Sequence, residues 1–347
     1  MSDAINRIEK QVRAFCTQIS ADPLLVQGAG GNISWKDGDF LWVKASGTCL
    51  ADAETKDIFV PVKYDCLKGE LAKNNFEVAP ETKTISGLRP SIETLLHALM
   101  PHRIVVHLHP VEILVHLVKV NSKQVIDALV GEAVKWIYLD YFKPGADLAR
   151  ALAEELKKSS DADVVFMKNH GVAIGGRDVD EISATLKSLL SILGIQRLPV
   201  ALKPRSGLRQ TDFFKRGYIP CTDNELNLLA FEGHLINRLY NDWALYPDHV
   251  VFLGAKALIL ERNFTNFQLA ESVKDNSAFV IAVGDGVYEH LAVTPSQKSQ
   301  MRCYFDVLTR LDPGERLCKL NEIQIDELLD WDAEKYRQNL VKPIQKT

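Results

Sequence analysis

The stretch IVVHLHPVEILVHL, residues 104–117, sets His107 and His109 two positions apart in an otherwise apolar run. Side chains two apart on a strand point to the same face. The pair therefore reads either as a two-toothed metal clamp or as two histidines sharing one polar pocket. The segment before it, RPSIETLLHALMP (89–101), carries helix punctuation, with Ser91 at an N-cap position, Glu93 in the first turn and Pro101 at the end. The segment after it, EILVHLVKV, fits helix or strand.

Further along, AVKWIYLDYFKPG (133–145) predicts a strand and turn, residues 146–158 a helix, and DVVFMKNHG (163–171) a strand. DVDEISATLKSLLSILGIQ (178–196) predicts an amphipathic helix with Asp178 as its N-cap. Upstream, helical spacing over 4–20 puts Ile5, Ile8, Val12, Phe15 and Cys16 near one face. GAGGNIS (28–34) breaks that pattern, strands follow at 40–47 and 57–62, and a polar stretch runs to about 88. Beyond these, 199–224 is rich in proline and basic residues and reads as a linker. HVVFLGAKALIL (249–260) and AFVIAVGDGVYEH (278–290) read as strands, and 295–311 and 325–340 as helices. The expected organisation is a catalytic α/β domain over 1–200, a linker over 201–224 and a smaller α/β domain over 225–347.

The 347 residues are 46% hydrophobic and 25% charged with a formal net charge of -4, which is ordinary globular composition with room for two domains. The mildly acidic balance argues against nucleic acid or an anionic membrane as partner. No run approaches the ~20 apolar residues of a membrane span, and the charged start lacks the apolar region of a signal peptide. The six cysteines are scattered with no CxxC pair, as in a reduced cytoplasmic protein.

Chemistry-bearing groups cluster around the HxH pair. His170, at a strand end before a glycine, is a third candidate, and three imidazoles with an open position suit a catalytic divalent metal. Its bland reading is a turn-closing histidine. Glu93 stands just before the HxH strand and suits base chemistry beside a cation, or else simply favours the helix dipole. His97, four residues on, reads as a packing or hydrogen-bonding neighbour of Glu93. GAGGNIS can expose backbone N–H groups to an anion but is not GxGxxG, so a dinucleotide site is disfavoured.

Five motifs in order, GGNIS, VKASG, RPSIETLLH, HLHP and KNHG, resemble the class II aldolase/adducin family across residues 28–171. The wording of WVKASG and PSIETLLHALMP looks most like the aldolase portion of bifunctional rhamnulose-phosphate aldolase/short-chain dehydrogenase chains. The resemblance implies a three-layer α/β/α domain around a mostly antiparallel sheet, and a homo-oligomer, usually a ring of four subunits. It implies a divalent metal on His107, His109 and His170, commonly zinc, with manganese or iron as alternatives. Glu93 would be the acid/base, and Gly31, Asn32, Ser46, Gly47 and Ser91 would line a phosphate pocket. The implied activity is cleavage or formation of a carbon–carbon bond in a ketose phosphate through a metal-stabilised enediolate. Epimerisation, dehydration or decarboxylation of a sugar phosphate uses the same site, and a non-catalytic adducin-like scaffold is the reading of another class. Tyr138 and Tyr141 are candidates for the group acting on the aldehyde. His102 and His116 stay bland. Ala29 and Ile92 stand where relatives often carry hydroxyl residues, which thins the phosphate pocket.

Overall fold

The computed structural model describes residues 2–83, 87–199, 209–274 and 277–332. The chain divides into two units, the first running through Gly194 and the second from Ile195 to Leu329. In the first, seven strands form one sheet: β1 (Asn32–Asp37), β2 (Phe40–Lys44), β3 (Phe59–Lys63), β4 (Ile104–Leu108), β5 (Trp136–Leu139), β6 (Val164–Met167) and β7 (Gly171–Gly176). Their order is β3-β2-β1-β4-β7-β6-β5, and every neighbouring pair is antiparallel except β5–β6.

The two faces are covered by α1 (Ser2–Ser20), α2 (Tyr64–Ala72), α3 (Thr94–Leu99), α4 (Val111–Leu117), α5 (Ser122–Val130), α6 (Ala146–Lys158) and α7 (Val179–Leu193). Strand alternation supplies an apolar set to each face. Ile33, Trp35, Ile104, Val106, Phe166 and Ile174 pack under α1, α4, α5 and α7, which contribute Val12, Ile113, Ile126 and Leu186. On the reverse, Val105, Val165 and Ala173 meet Leu96 of α3 and Leu152 of α6, while Leu41 and Val43 meet Leu67 of α2. This is the three-layer α/β/α arrangement.

Two stretches resolve or extend the sequence reading here. EILVHLVKV is helical, because Pro110 supplies an extended N-cap and Val111, Leu114 and Val115 can all be buried. The polar stretch before 88 contains α2, whose inward face is only Leu67 and Leu71.

The second unit holds a four-stranded sheet, β8 (Tyr218–Pro220), β9 (Ile259–Leu260), β10 (Phe279–Ala282) and β11 (Gly286–His290), in the order β8-β11-β10-β9. Within the stretch read as a linker, residues 200–208 lie outside the described residues. Gln210–Phe214 is a helix and β8 an edge strand, since Phe213 and Tyr218 are buried in the second core. The strand expected over 249–260 is instead a helix, Pro247–Leu253, followed by the two-residue β9. Pro247 at the first helical position starts it, and Gly254 at φ +86° ends it. Residues 278–290 are a hairpin, with the tight turn that VGDGVYEH (283–290) predicts falling at residues 283–285 between β10 and β11. The last helix is described over Glu322–Leu329, and its expected continuation falls mostly outside the described residues. Among the described residues no helix is long and apolar enough to cross a membrane.

Candidate active site

Period-two alternation on two adjacent strands builds the floor of the site. On β4, Ile104, Val106 and Leu108 enter the α1/α4 core, so His107 points to the opposite face with Val105, beneath α3. On β1, Ile33 and Trp35 enter that same core, which turns Asn32 and Ser34 toward α3 as well. The register sets Asn32 opposite His107 and Ser34 opposite Val105.

His109 leaves the end of β4 just before Pro110. His170 closes the β6–β7 hairpin, its N–H bonded to the Met167 carbonyl at 3.1 Å. Asn169 before it sits at φ +53°, a left-handed conformation that asparagine tolerates. Gly171 makes the room: a Cβ there would stand 2.4 Å from the Leu108 carbonyl oxygen and 2.7 Å from the His109 ring. All three histidines are buried, and their ligand nitrogens lie within 4.8 Å of one another. The His107 Nδ1 donates to the Val172 carbonyl at 3.1 Å, which leaves its Nε2 lone pair for the site. That Nε2 is 2.9 Å from Nε2 of His109, a spacing that calls for a shared proton or a nearby cation.

Glu93 is the N-cap of α3 rather than part of its first turn, as the sequence had suggested. The helix starts later because Ser91 forms a turn of its own, its hydroxyl accepting from the Glu93 N–H at 3.2 Å. This offset hangs the carboxylate over the histidines, with Oε2 3.3 Å from His107 Nε2 and Oε1 3.3 Å from His170 Nε2. Burial alone would raise the Glu93 pKa. The three imidazoles and the Asn32 amide outweigh burial and pull it down to about 2. Oε1 has no hydrogen-bond partner among the described residues. Three imidazole nitrogens beside a buried, ionised carboxylate are a donor set and charge suited to a divalent ion.

The residues read as a phosphate pocket come together through backbone pairing. Ala45 bridges Pro90, the Ser46 N–H bonds the Arg89 carbonyl at 2.9 Å, and the Ser91 N–H bonds the Lys44 carbonyl at 3.1 Å. Ser46 and Gly47 thus lie alongside Ser91. Gly31 and Gly47 have φ of +67° and +77°, which a side chain would strain. Sequence reading missed Lys44. It is 2% exposed, and its Nζ donates to the carbonyls of Ala29 (3.2 Å) and Thr48 (2.5 Å), tying the 28–31 turn to the 46–48 turn. The available signal was its phase, since Lys44 alternates with Phe40 and Trp42 and so shares their face.

The Asn32 side chain is engaged at both ends. Its Nδ2 donates to Glu93 Oε2 at 2.8 Å, and its Oδ1 meets Nε2 of His97. The other nitrogen of His97 lies 2.8 Å from the Ser34 hydroxyl. Tyr138 packs on the opposite face of the sheet, its hydroxyl bonded to that of Ser122, whereas Tyr141 lies half-buried in the loop after β5. His102 pairs with Asp163 at 2.9 Å and His116 with the Leu193 carbonyl at 2.8 Å, both apart from the three-histidine cluster.

The family model of the class II aldolase and adducin N-terminal domain matches residues 11–196, and the chain belongs to that family. Two curated relatives match part of the chain. An uncharacterized oxidoreductase of Bacillus subtilis, YuxG, is 30% identical over 177 residues, 46% of this chain and a 25% share of that protein's length. An L-fuculose phosphate aldolase of Methanocaldococcus jannaschii is 29% identical over 180 residues, 49% of this chain and 85% of that protein. Among solved structures, the N-terminal class II aldolase domain of a Thermoplasma acidophilum protein is 25% identical, with a TM-score of 0.44, covering 53% of this chain and 90% of that one.

Proposed function

We propose that the chain is a metal-dependent aldehyde-lyase that breaks or makes a carbon–carbon bond in a ketose phosphate. In this reading His107, His109 and His170 hold one divalent ion, with zinc the expected metal, and Glu93 is the acid/base. Gly31, Ser46, Gly47 and Ser91 receive the phosphate, while the Asn32 side chain, expected to join them, is taken up by Glu93 and His97. The observation that carries it is the buried Glu93 carboxylate, 3.3 Å from the nitrogens of both His107 and His170. Family membership and the likeness to an L-fuculose phosphate aldolase support it. The partial match to a protein named as an oxidoreductase fits the resemblance to bifunctional aldolase/dehydrogenase chains.

A bound divalent ion supplies Lewis-acid stabilisation of the negative charge that builds on oxygen when the bond beside a ketone breaks. The chain's own groups do the rest. Glu93, acceptor-only at neutral pH, carries the proton to and from the carbon freed by cleavage. The small residues at 31, 46, 47 and 91 present backbone N–H and hydroxyl groups to the phosphate, and the buried Lys44 ammonium keeps their two turns together. Of the two candidate tyrosines, Tyr138 packs on the sheet face opposite the histidines, which leaves Tyr141 for the aldehyde oxygen.

The test is a panel of ketose 1-phosphates offered to the zinc-loaded chain, with products identified by NMR. Release of a three-carbon ketone phosphate and an aldehyde supports the lyase. An epimer, a dehydrated product or carbon dioxide moves the assignment to another reaction of the same site. With a cleaved substrate in hand, Glu93→Gln is expected to keep the metal and lose turnover by about 100-fold or more. Full turnover in that variant removes Glu93 from its role.

A further inference from the structure

We propose that His97 is a positioning residue that holds Glu93 in place through Asn32, an inference that rests on the acid/base role assigned to Glu93 above. The chain of contacts runs Ser34–His97–Asn32–Glu93, and all four side chains are buried. Its polarity follows from one fixed end. The Asn32 amide nitrogen donates to Glu93 Oε2 at 2.8 Å. The Asn32 carbonyl oxygen then faces His97 Nε2, and that nitrogen must carry the proton. Nδ1 of His97 is left as an acceptor and takes the Ser34 hydroxyl proton at 2.8 Å. Every donor in the line points toward Glu93.

The arrangement has two consequences. Asn32 cannot turn its amide over without placing a carbonyl oxygen against a carboxylate and an N–H against an N–H, so Glu93 Oε2 always meets a donor. Burial also pushes His97 down to about 3, so it stays neutral across the working pH range. His97 lies one helical turn after Glu93, in α3, and Asn32 and Ser34 are alternate residues on β1. The helix and strand are thus cross-linked at the point where the carboxylate must not drift. A displaced acid/base loses rate steeply even when binding is intact.

The experiment compares the zinc-loaded wild type with His97→Leu and His97→Gln. The probe is dihydroxyacetone phosphate in D2O. Glu93 takes a proton as one C–H bond breaks and the electron pair stays with the ketone's carbon–oxygen framework; the Glu93 carboxyl then exchanges its proton with D2O and returns a deuteron to the same carbon. His97→Leu is expected to exchange about 10- to 100-fold more slowly at saturation, with KM and zinc per chain unchanged. His97→Gln, whose amide nitrogen reaches the position of Nε2, is expected to recover most of that loss. Crystal structures of the variants supply the second readout, Glu93 leaving Asn32 in His97→Leu and staying in His97→Gln. Wild-type exchange by His97→Leu, or an undisplaced Glu93 carboxylate in its crystal, overturns the proposal. If His97→Leu does not fold, Ser34→Ala takes its place: slower exchange at constant zinc supports the relay, and unchanged exchange overturns it. If the wild type exchanges no proton, the acid/base reading of Glu93 falls, and the carboxylate position in the variant crystals still decides whether His97 positions it.

Discussion

His107 and His109 illustrate what one side chain can and cannot announce. Their i, i+2 spacing places two imidazoles on one strand face, and that much follows from backbone geometry. What they meet there depends on His170, 61 residues later, and on Gly171, where a Cβ would stand only 2.4 Å from the Leu108 carbonyl oxygen. The three-ligand reading has a direct test. His109→Ala removes one of three nitrogens, and zinc per chain, measured by elemental analysis after dialysis, is expected to fall at least 10-fold. Retention of one zinc per chain in that variant would show that the ligand set is different. Lys44 makes the opposite point. A lysine at a strand end reads as a solvated residue, and its two carbonyl partners come from turns that only the folded chain brings together.

Elements with strong local chemistry were readable in advance. The helix α7 has apolar residues at helical spacing and an N-cap in Asp178, whose carboxylate accepts the Glu181 N–H at 2.9 Å. Asp178→Ala is expected to cost about 1 kcal/mol, read as a lower urea midpoint of the first unit with an unchanged slope. An unchanged midpoint would mean that water replaces the cap at no cost. The segment 249–260 was misread because its opening residues, His249 to Phe252, are buried on every side. A run buried all round shows neither the 3.6 nor the 2 period, so helix and strand look alike in sequence. Residues 209–224, within the stretch that reads as a linker, carry a helix and an edge strand that the local pattern hides for a related reason. The stretch's Pro and Arg content masked Phe213 and Tyr218, two widely spaced aromatics that anchor a helix and an edge strand in the second core.

Across the whole chain, stability should fall in acid for a reason common to both units. His97 in the first and His249 in the second are fully buried, and burial pushes each down to about 3 from an ordinary value near 6.5. Neither ring nitrogen of His249 has a hydrogen-bond partner among the described residues, and its ring sits among Trp243, Tyr246 and Tyr304. Between pH 3 and 6.5 the unfolded chain binds protons on these rings that the native chain refuses. Stability is therefore full above about pH 6.5 and declines as pH drops below it, by up to about 1.4 kcal/mol per pH unit for each ring. His249→Leu is expected to flatten the pH dependence of the second unit's unfolding between pH 6.5 and 4.5. A variant with the wild-type slope would assign that dependence to other groups.

The local code was sufficient for most helices and strands of the first unit and for the histidine and carboxylate candidates, whereas the three-layer architecture and the antiparallel bias of the large sheet were implied by the resemblance of five ordered motifs to a known family. Alternation, caps and turn residues act over a few positions and can be read in order. The gathering of Asn32, Glu93, His97, His107, His109 and His170 into one buried cluster was a matter of register and hairpin geometry. Those depend on which strands pair and which face each helix covers, and such long-range choices leave no mark on any short stretch of chain.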